Sequence, residues 1–208
     1  MNKRFVISGI GTGVGKTVVS AIIAQHLKSG YWKPVQAGDL DQSDAITVSS
    51  LTSMVQIIEE RYKLTEPMSP HAAAEIDGVM ITEADLMIPD YDGDLVIEGA
   101  GGLLVPLNNN GLTYLDVFEK WKVPVILVSR HYLGSINHTL LSIDALQKRN
   151  IEIEGIVFVG EENKPTEEII LHSSGLKMIC RIPEVEEVDR SFIEEQALNP
   201  ALSYHFSL

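Results

Sequence analysis

The run Gly9-Ile10-Gly11-Thr12-Gly13-Val14-Gly15-Lys16-Thr17 holds the residue types and spacing best suited to chemistry. A phosphate chain needs backbone N–H groups converging from one side. Glycines let a loop curl around it without Cβ clashes, and a helix starting directly after the loop adds the partial positive charge of its N-terminus. Lys16 then reaches the β and γ phosphates, and the Thr17 hydroxyl can ligate magnesium. The common phosphate loop has four residues between its first glycine and Gly-Lys. Here five separate Gly9 from Gly15, a variant spacing. The bland alternative is a glycine-rich turn with an incidental lysine, which requires strand, spacing, Gly-Lys-Thr and helix all to coincide.

Magnesium takes oxygen ligands, usually one or two carboxylates besides phosphate and water. Glu98 follows the apolar run Leu95-Val96-Ile97 and precedes Gly99-Ala100-Gly101-Gly102, which puts a carboxylate at the carboxyl end of a buried strand, where open α/β sheets bind ligands. Asp44, in Ser43-Asp44-Ala45, is the second candidate, and read by itself it serves equally well as a helix-capping or first-turn acid. Lys33, before Pro34, belongs to the same sheet edge and offers a second cation for phosphate charge or an anionic substrate. Alone, it would be an ordinary surface lysine.

These residues need a scaffold of βα units, and the chain has that rhythm. Phe5-Val6-Ile7 reads as a first strand. Val18, Val19, Ile22, Ile23 and Leu27 give one apolar helix face that stops near Gly30. Tyr31 to Val35 reads as a second strand. Leu95 to Ile97, Val123 to Val128 and Ile153 to Val159 read as further buried strands, with Thr113 to Trp121 and Ser135 to Lys148 as helices between them. Met54 to Tyr62 and Glu83 to Met87 are helical candidates, and Glu66 to Ala74, with two prolines, is the most irregular segment. The expected fold is a three-layer α/β domain of the P-loop NTPase type, spanning 1–208, with a mostly parallel sheet of about seven strands.

Bulk properties narrow the function classes. Sixteen basic against 29 acidic residues leave a net charge of −13, so the global field opposes polyanionic nucleic acid and acidic lipid. The single cysteine, Cys180, allows no internal disulfide and too few thiolates for a zinc or iron–sulfur site, and is expected to be a small buried hydrophobe. No apolar stretch approaches the ~18 residues of a membrane helix, and a cytoplasmic location is expected.

Taken together, the chain resembles the dethiobiotin synthetase family nearly end to end. The resemblance rests on the variant loop ending Val14-Gly15-Lys16-Thr17, on Lys33-Pro34-Val35, Ser43-Asp44-Ala45 and Pro67-Met68-Ser69-Pro70-His71, on Glu98-Gly99-Ala100-Gly101-Gly102 with Pro106-Leu107, and on Leu133-Gly134-Ser135-Ile136-Asn137-His138. It implies a homodimer with active sites near the interface, and a reaction that closes a cyclic urea from 7,8-diaminopelargonate, CO2 and ATP through a carbamate and a carbamic–phosphoric anhydride. It assigns nucleotide binding to Thr12, Gly13, Val14, Gly15, Lys16, Thr17 and Val18, to Asp44, and to Glu98, Gly99, Ala100 and Gly101. Base-side contacts fall on Val159, Gly160, Ile182, Pro183 and Glu184. Magnesium falls to Thr17, Asp44 and Glu98, and catalysis to Lys33 with Lys16. Substrate contacts fall on Lys33, Ala37, Gly134, Ser135, Ile136 and Asn137, where a helix N-terminus can receive the substrate carboxylate. His71 and His138 lie in matched motifs but are expected to be structural, since no second ligand lies at metal spacing.

This chain departs from the family pattern at four places. Gly11 and Gly13 stand where acidic residues are common, Ala37 where a hydroxyl is common, and Val159-Gly160 where an Asn-Asp pair reads the base, so weaker base discrimination is expected. Two other function classes compete with the synthetase. A partitioning-type switch ATPase would carry a lysine five residues before Lys16, where this chain has Gly11. A nucleotide-binding regulatory module that has lost activity is the other. A corrinoid amidotransferase would need a fused glutaminase domain, for which the chain has no room.

Overall fold

A computed structural model describes residues 2–206. The elements run, in chain order, β1 (Arg4–Gly9), α1 (Lys16–Leu27), β2 (Gly30–Trp32), β3 (Val35–Ala37), α2 (Asp44–Leu51), β4 (Gln56–Ile58), β5 (Tyr62–Leu64), α3 (Pro70–Ile76), β6 (Leu95–Glu98), α4 (Tyr114–Trp121), β7 (Val125–Arg130), α5 (Ser135–Lys148), β8 (Ile153–Val159), α6 (Lys164–Ser174), β9 (Met178–Ile182), α7 (Arg190–Ala197) and α8 (Pro200–Phe206). Seven strands pair in parallel in the order β4-β2-β6-β1-β7-β8-β9. Strands β3 and β5 form a separate parallel pair.

Strand side chains alternate between faces, and so do their packing partners. Phe5, Ile7, Val96, Ile126 and Val128 point toward α1, α2, α7 and α8, meeting Ile22, Val48, Ile193 and Leu202. Val6, Leu95, Ile97 and Val125 point to the other face, where Ala73, Leu115, Phe118 and Leu146 come from α3, α4 and α5. Leu127, Ile156 and Phe158 complete that face against Ile143 of α5 and Ile170 of α6. The result is three layers, helices on both sides of a sheet whose strands are apolar on both faces, as a parallel sheet requires.

Several expectations are corrected. The second strand does not run from Tyr31 to Val35. It breaks at Lys33-Pro34, because proline has no N–H for the ladder, and the chain crosses to the small sheet. There the Pro34 carbonyl accepts from the backbone N–H groups of Arg61 and Tyr62 at 2.9 and 3.0 Å. Met54 to Tyr62 is not helical: it carries β4 and the start of β5. Glu83 to Met87 narrows to a single 3₁₀ turn, Ala84–Leu86. The stretch from Glu66 to Ala74 is irregular only to Ser69, after which Pro70, at a position where its missing N–H costs nothing, opens α3. Helix α1 does stop near Gly30 as expected: its last residue is Leu27, and Lys28 caps it in the left-handed conformation (φ 52°).

Candidate active site

Strands β1, β2 and β6 end at one rim of the sheet, and their last residues lead into the phosphate loop, Lys33 and Glu98. The loop between β1 and α1 delivers backbone donors because Gly15 occupies the N-cap position of α1 at φ 92°, with no side chain capping the helix. A Cβ at Gly15 would also touch Val159 at 3.4 Å. The first-turn N–H groups of α1 therefore face the loop instead of a capping side chain.

Four side chains meet beside this loop. The Thr17 hydroxyl lies 2.9 Å from Asp44 Oδ1 and 3.0 Å from Glu98 Oε1. Lys33 Nζ donates to Glu98 Oε1 at 3.1 Å, to the Gly99 carbonyl at 3.4 Å, and to Asp44 Oδ2. Glu98 is fully buried and Lys33 is 4% exposed. Burial disfavours the Lys33 ammonium, but Glu98 and then Asp44 outweigh it and hold its pKa above the ordinary value. Burial pushes Asp44 up, and Lys33 with Thr17 more than reverses this, leaving its carboxyl below the usual range. Lys16, 7% exposed, donates to the Gly11 carbonyl at 3.0 Å, and burial brings its pKa down to about 8. The site thus holds Lys16, Lys33 and Glu98 out of water beside an Asp44 side chain that is 31% exposed, an arrangement that is costly unless every buried charge has a partner.

Two supports were not foreseen from sequence. The Tyr31 hydroxyl donates to Glu98 Oε2 at 2.8 Å, fixing the carboxylate so that Oε1 faces Thr17 and Lys33. Burial, followed by Glu98, holds the Tyr31 phenol well above its ordinary pKa. Gln36 Oε1 accepts from the Asp44 backbone N–H at 3.3 Å, orienting the first turn of α2, whose N-cap is Ser43. Asp44 is therefore both the first-turn acid and part of the cluster. Tyr31 lies in β2 and Gln36 in β3, and their only sequence signal is proximity to Lys33.

The cluster opens into a cleft of about 720 Å³, lined along one wall by Thr12, Gly13, Gly15, Lys16, Thr17 and Val18. Lys33, Ala37, Asp44, Glu98, Ala100 and Gly101 line the rest of its polar interior, and Pro67 to Pro70 close the far side. Gly38, at φ 71°, lets Pro67 approach: a Cβ there would lie 2.4 Å from the proline Cα. The Val14 side chain is buried in the core and Gly99 contributes its carbonyl. A narrower apolar cavity of about 170 Å³ continues from Gly13 and Gly15 past Val159, Ile182, Pro183 and Glu184. Gly160 does not line this cavity and lies near Glu184, to whose Oε2 a Cβ at Gly160 would be 4.0 Å.

Gly134 to Asn137 are not in the cleft of their own chain. Helix α5 packs on the sheet face opposite α1, and its N-cap, Gly134, takes φ 107°. Leu133 is fully exposed and Ile136 partly so. His138 shares a shallow apolar cavity of about 400 Å³ with Leu104 and Leu141. His138 bonds Tyr132 through Nδ1 at 2.7 Å, and the His71 backbone N–H donates to the Pro106 carbonyl. Cys180 is buried, which pushes its thiol up to about 12.

The residues fit a small divalent cation. Three hard oxygen donors, from Thr17, Asp44 and Glu98, converge within hydrogen-bond reach, and a magnesium ion completes its shell with phosphate and water. Among the described residues no group of three or more His, Cys, Asp or Glu forms a cage, and a magnesium ion shared with phosphate needs none.

Comparison with known proteins places the chain. A family model described as an AAA domain matches residues 3–191. A protein named ATP-dependent dethiobiotin synthetase BioD from Christiangramia forsetii is 51% identical over 199 residues, 95% of each chain. One of the same name from Agrobacterium fabrum is 45% identical over all of this chain and 96% of its own. The chain belongs to the dethiobiotin synthetase family. Solved structures share the fold at low identity. A putative plasmid partition protein from Borrelia burgdorferi bound to AMPPNP has a TM-score of 0.61 at 15% identity, covering 100% of this chain and 99% of that one. The cell division ATPase MinD of Pyrococcus furiosus has a TM-score of 0.61 at 14% identity with the same coverage. The partition-type reading therefore rests on shared architecture alone, while membership of the synthetase family rests on nearly half of all residues along the whole chain.

Proposed function

We propose that this protein is a ligase that closes the ureido ring of dethiobiotin from 7,8-diaminopelargonate, CO2 and ATP. The observation that carries this reading is the clustering of Thr17, Lys33, Asp44 and Glu98 at the end of the phosphate loop, inside one cleft. The loop from Thr12 to Val18, with Gly99 to Gly101 opposite, holds the triphosphate. Thr17, Asp44 and Glu98 hold Mg2+, which when bound neutralises phosphate charge. Val159, Gly160, Ile182, Pro183 and Glu184 surround the base.

An amine of the substrate takes up CO2 as a carbamate, whose oxygen forms a bond to the γ-phosphorus as the bond to ADP breaks. The second amine then attacks the carbonyl of the resulting carbamic–phosphoric anhydride, and phosphate leaves as the ring closes. The protein supplies no covalent nucleophile. Lys16 and Lys33 place positive charge along the line of phosphoryl transfer, and the buried cluster keeps water away from the anhydride. Ala37 lines the substrate end without a hydroxyl, so one substrate hydrogen bond found elsewhere in the family is missing here.

The protein acts as a homodimer in which Gly134, Ser135, Ile136 and Asn137 of a second copy receive the substrate carboxylate. Two features support this: the segment matches the family's substrate and dimer loop, and Gly134, Ile136 and Asn137 are exposed, with none of the four lining the cleft of their own chain and Ser135 buried. Incubation with diaminopelargonate, bicarbonate, Mg2+ and ATP, with mass detection of dethiobiotin, tests the reaction, and absence of product would refute it. Lys33→Ala is expected to lower turnover by about a hundredfold or more while nucleotide affinity stays within a few-fold, because Gly13 to Thr17 hold the triphosphate. Single-turnover assays and calorimetry separate the two effects. Because Val159-Gly160 brings no amide, ATP and CTP are expected to support turnover within a narrower range of one another than in relatives with Asn-Asp.

A further inference from the structure

With no polar side chain at Val159-Gly160, the charged groups at the mouth of the apolar cavity are Arg130, the last residue of β7, and Glu184, which follows β9. Their side chains form an ion pair and are 45% and 48% exposed, so both remain reachable by a ligand. Arg130 Nη1 also donates to the carbonyl of Gly13 at 3.1 Å, which ties the pair to the phosphate loop. The second Glu184 oxygen lies over Gly160: a Cβ there would be 4.0 Å from Oε2. A base entering between Val159 and Pro183 therefore meets an acceptor-only carboxylate beside a donor-only guanidinium.

Resting on the proposed nucleotide site, we propose that Arg130 and Glu184 select the base, favouring those with an exocyclic amine next to a ring acceptor nitrogen. Adenine and cytosine offer that pattern, an N–H for Glu184 and a lone pair for Arg130. Hypoxanthine and uracil reverse it, turning a carbonyl oxygen toward the carboxylate and a ring N–H toward the guanidinium. Arg130 further acts as a positioning residue, since the same guanidinium that faces the base holds the Gly13 carbonyl.

The test is calorimetric affinity for ATP, ITP, CTP and UTP with Mg2+, on the intact chain and on Glu184→Gln and Arg130→Ala, with thermal unfolding as the control for fold. Both side chains are half exposed, so the variants are expected to fold. The wild type is expected to bind ATP over ITP, and CTP over UTP, by about tenfold, the order of one charge-assisted hydrogen bond. Glu184→Gln, whose amide donates as well as accepts, is expected to shrink both ratios to within threefold. Arg130→Ala is expected to weaken all four triphosphates several-fold, through the loop, as well as lowering the ratios. Equal wild-type affinity for ATP and ITP, or an unchanged ratio in Glu184→Gln, overturns the inference while leaving the nucleotide site intact. Failure of the wild type to bind any of the four would instead overturn the site assignment on which it rests.

Discussion

At the scale of single residues, the site is decided by how a buried carboxylate is satisfied. Glu98 has one oxygen shared by Thr17 and Lys33 and the other held by Tyr31. Removing the phenol hydroxyl leaves a fully buried carboxylate oxygen without its donor, a loss on the order of 1–3 kcal/mol. Tyr31→Phe is therefore expected to lower the unfolding free energy by that amount, read as a lower urea midpoint, and to reduce the thermal stabilisation given by Mg2+ with ADP. An unchanged midpoint would mean that the hydroxyl is dispensable. Glu98 itself was legible in the sequence because an acid ending an apolar run, followed by glycines, has few structural reasons to exist. Tyr31 was not, because a tyrosine inside a strand looks like core until its hydroxyl is seen to point at a specific acceptor.

At the scale of elements, Glu167 in the first turn of α6 clasps two strands. It accepts from Arg181 of β9 at 2.8 and 2.6 Å and lies 2.9 Å from Nε2 of His131, just beyond β7. The Arg181 hydrogen bonds hold its carboxyl at about 2, below its usual 4.5. A depressed acid contributes stability that is present above the unfolded value and lost as pH falls toward the folded one. Wild-type stability should thus decline between about pH 4.5 and 2 in part through this group. Glu167→Gln should cost on the order of 1–3 kcal/mol at pH 7 and flatten that decline, as read by denaturant titrations across the range. Helix α6 could have been found from its Asn163 cap and Pro165, and α7 from its Asp189 cap. The long periodic elements α1, α5 and β8 were plain in the sequence, whereas β4 and β5 were not. Three-residue strands, such as Gln56–Ile58, are too short for their alternation to be told from a helical pattern.

At the scale of the whole molecule, the apolar surface around α5 calls for a partner under the dimer reading. Leu104 and Leu141 are 67% and 58% exposed yet line one shallow cavity with His138. Leu141→Asp is expected to shift sedimentation from dimer to monomer and to lower turnover at limiting substrate. A wild-type protein that sediments as a monomer at micromolar concentration would rule out that assembly. The departure of the chain from the large sheet at Lys33-Pro34 has a mechanical corollary. The Lys33 ammonium is aimed by a rudder, the pairing of Val35–Ala37 with Tyr62–Leu64. A slip of one residue in that short pairing would drag Lys33 about 3.3 Å along the strand direction. Its ammonium sits only 3.1 Å from Glu98, so such a slip would unseat it. The backbone of Tyr62–Leu64, roughly thirty positions beyond Lys33 in the chain, thereby keeps the steering true.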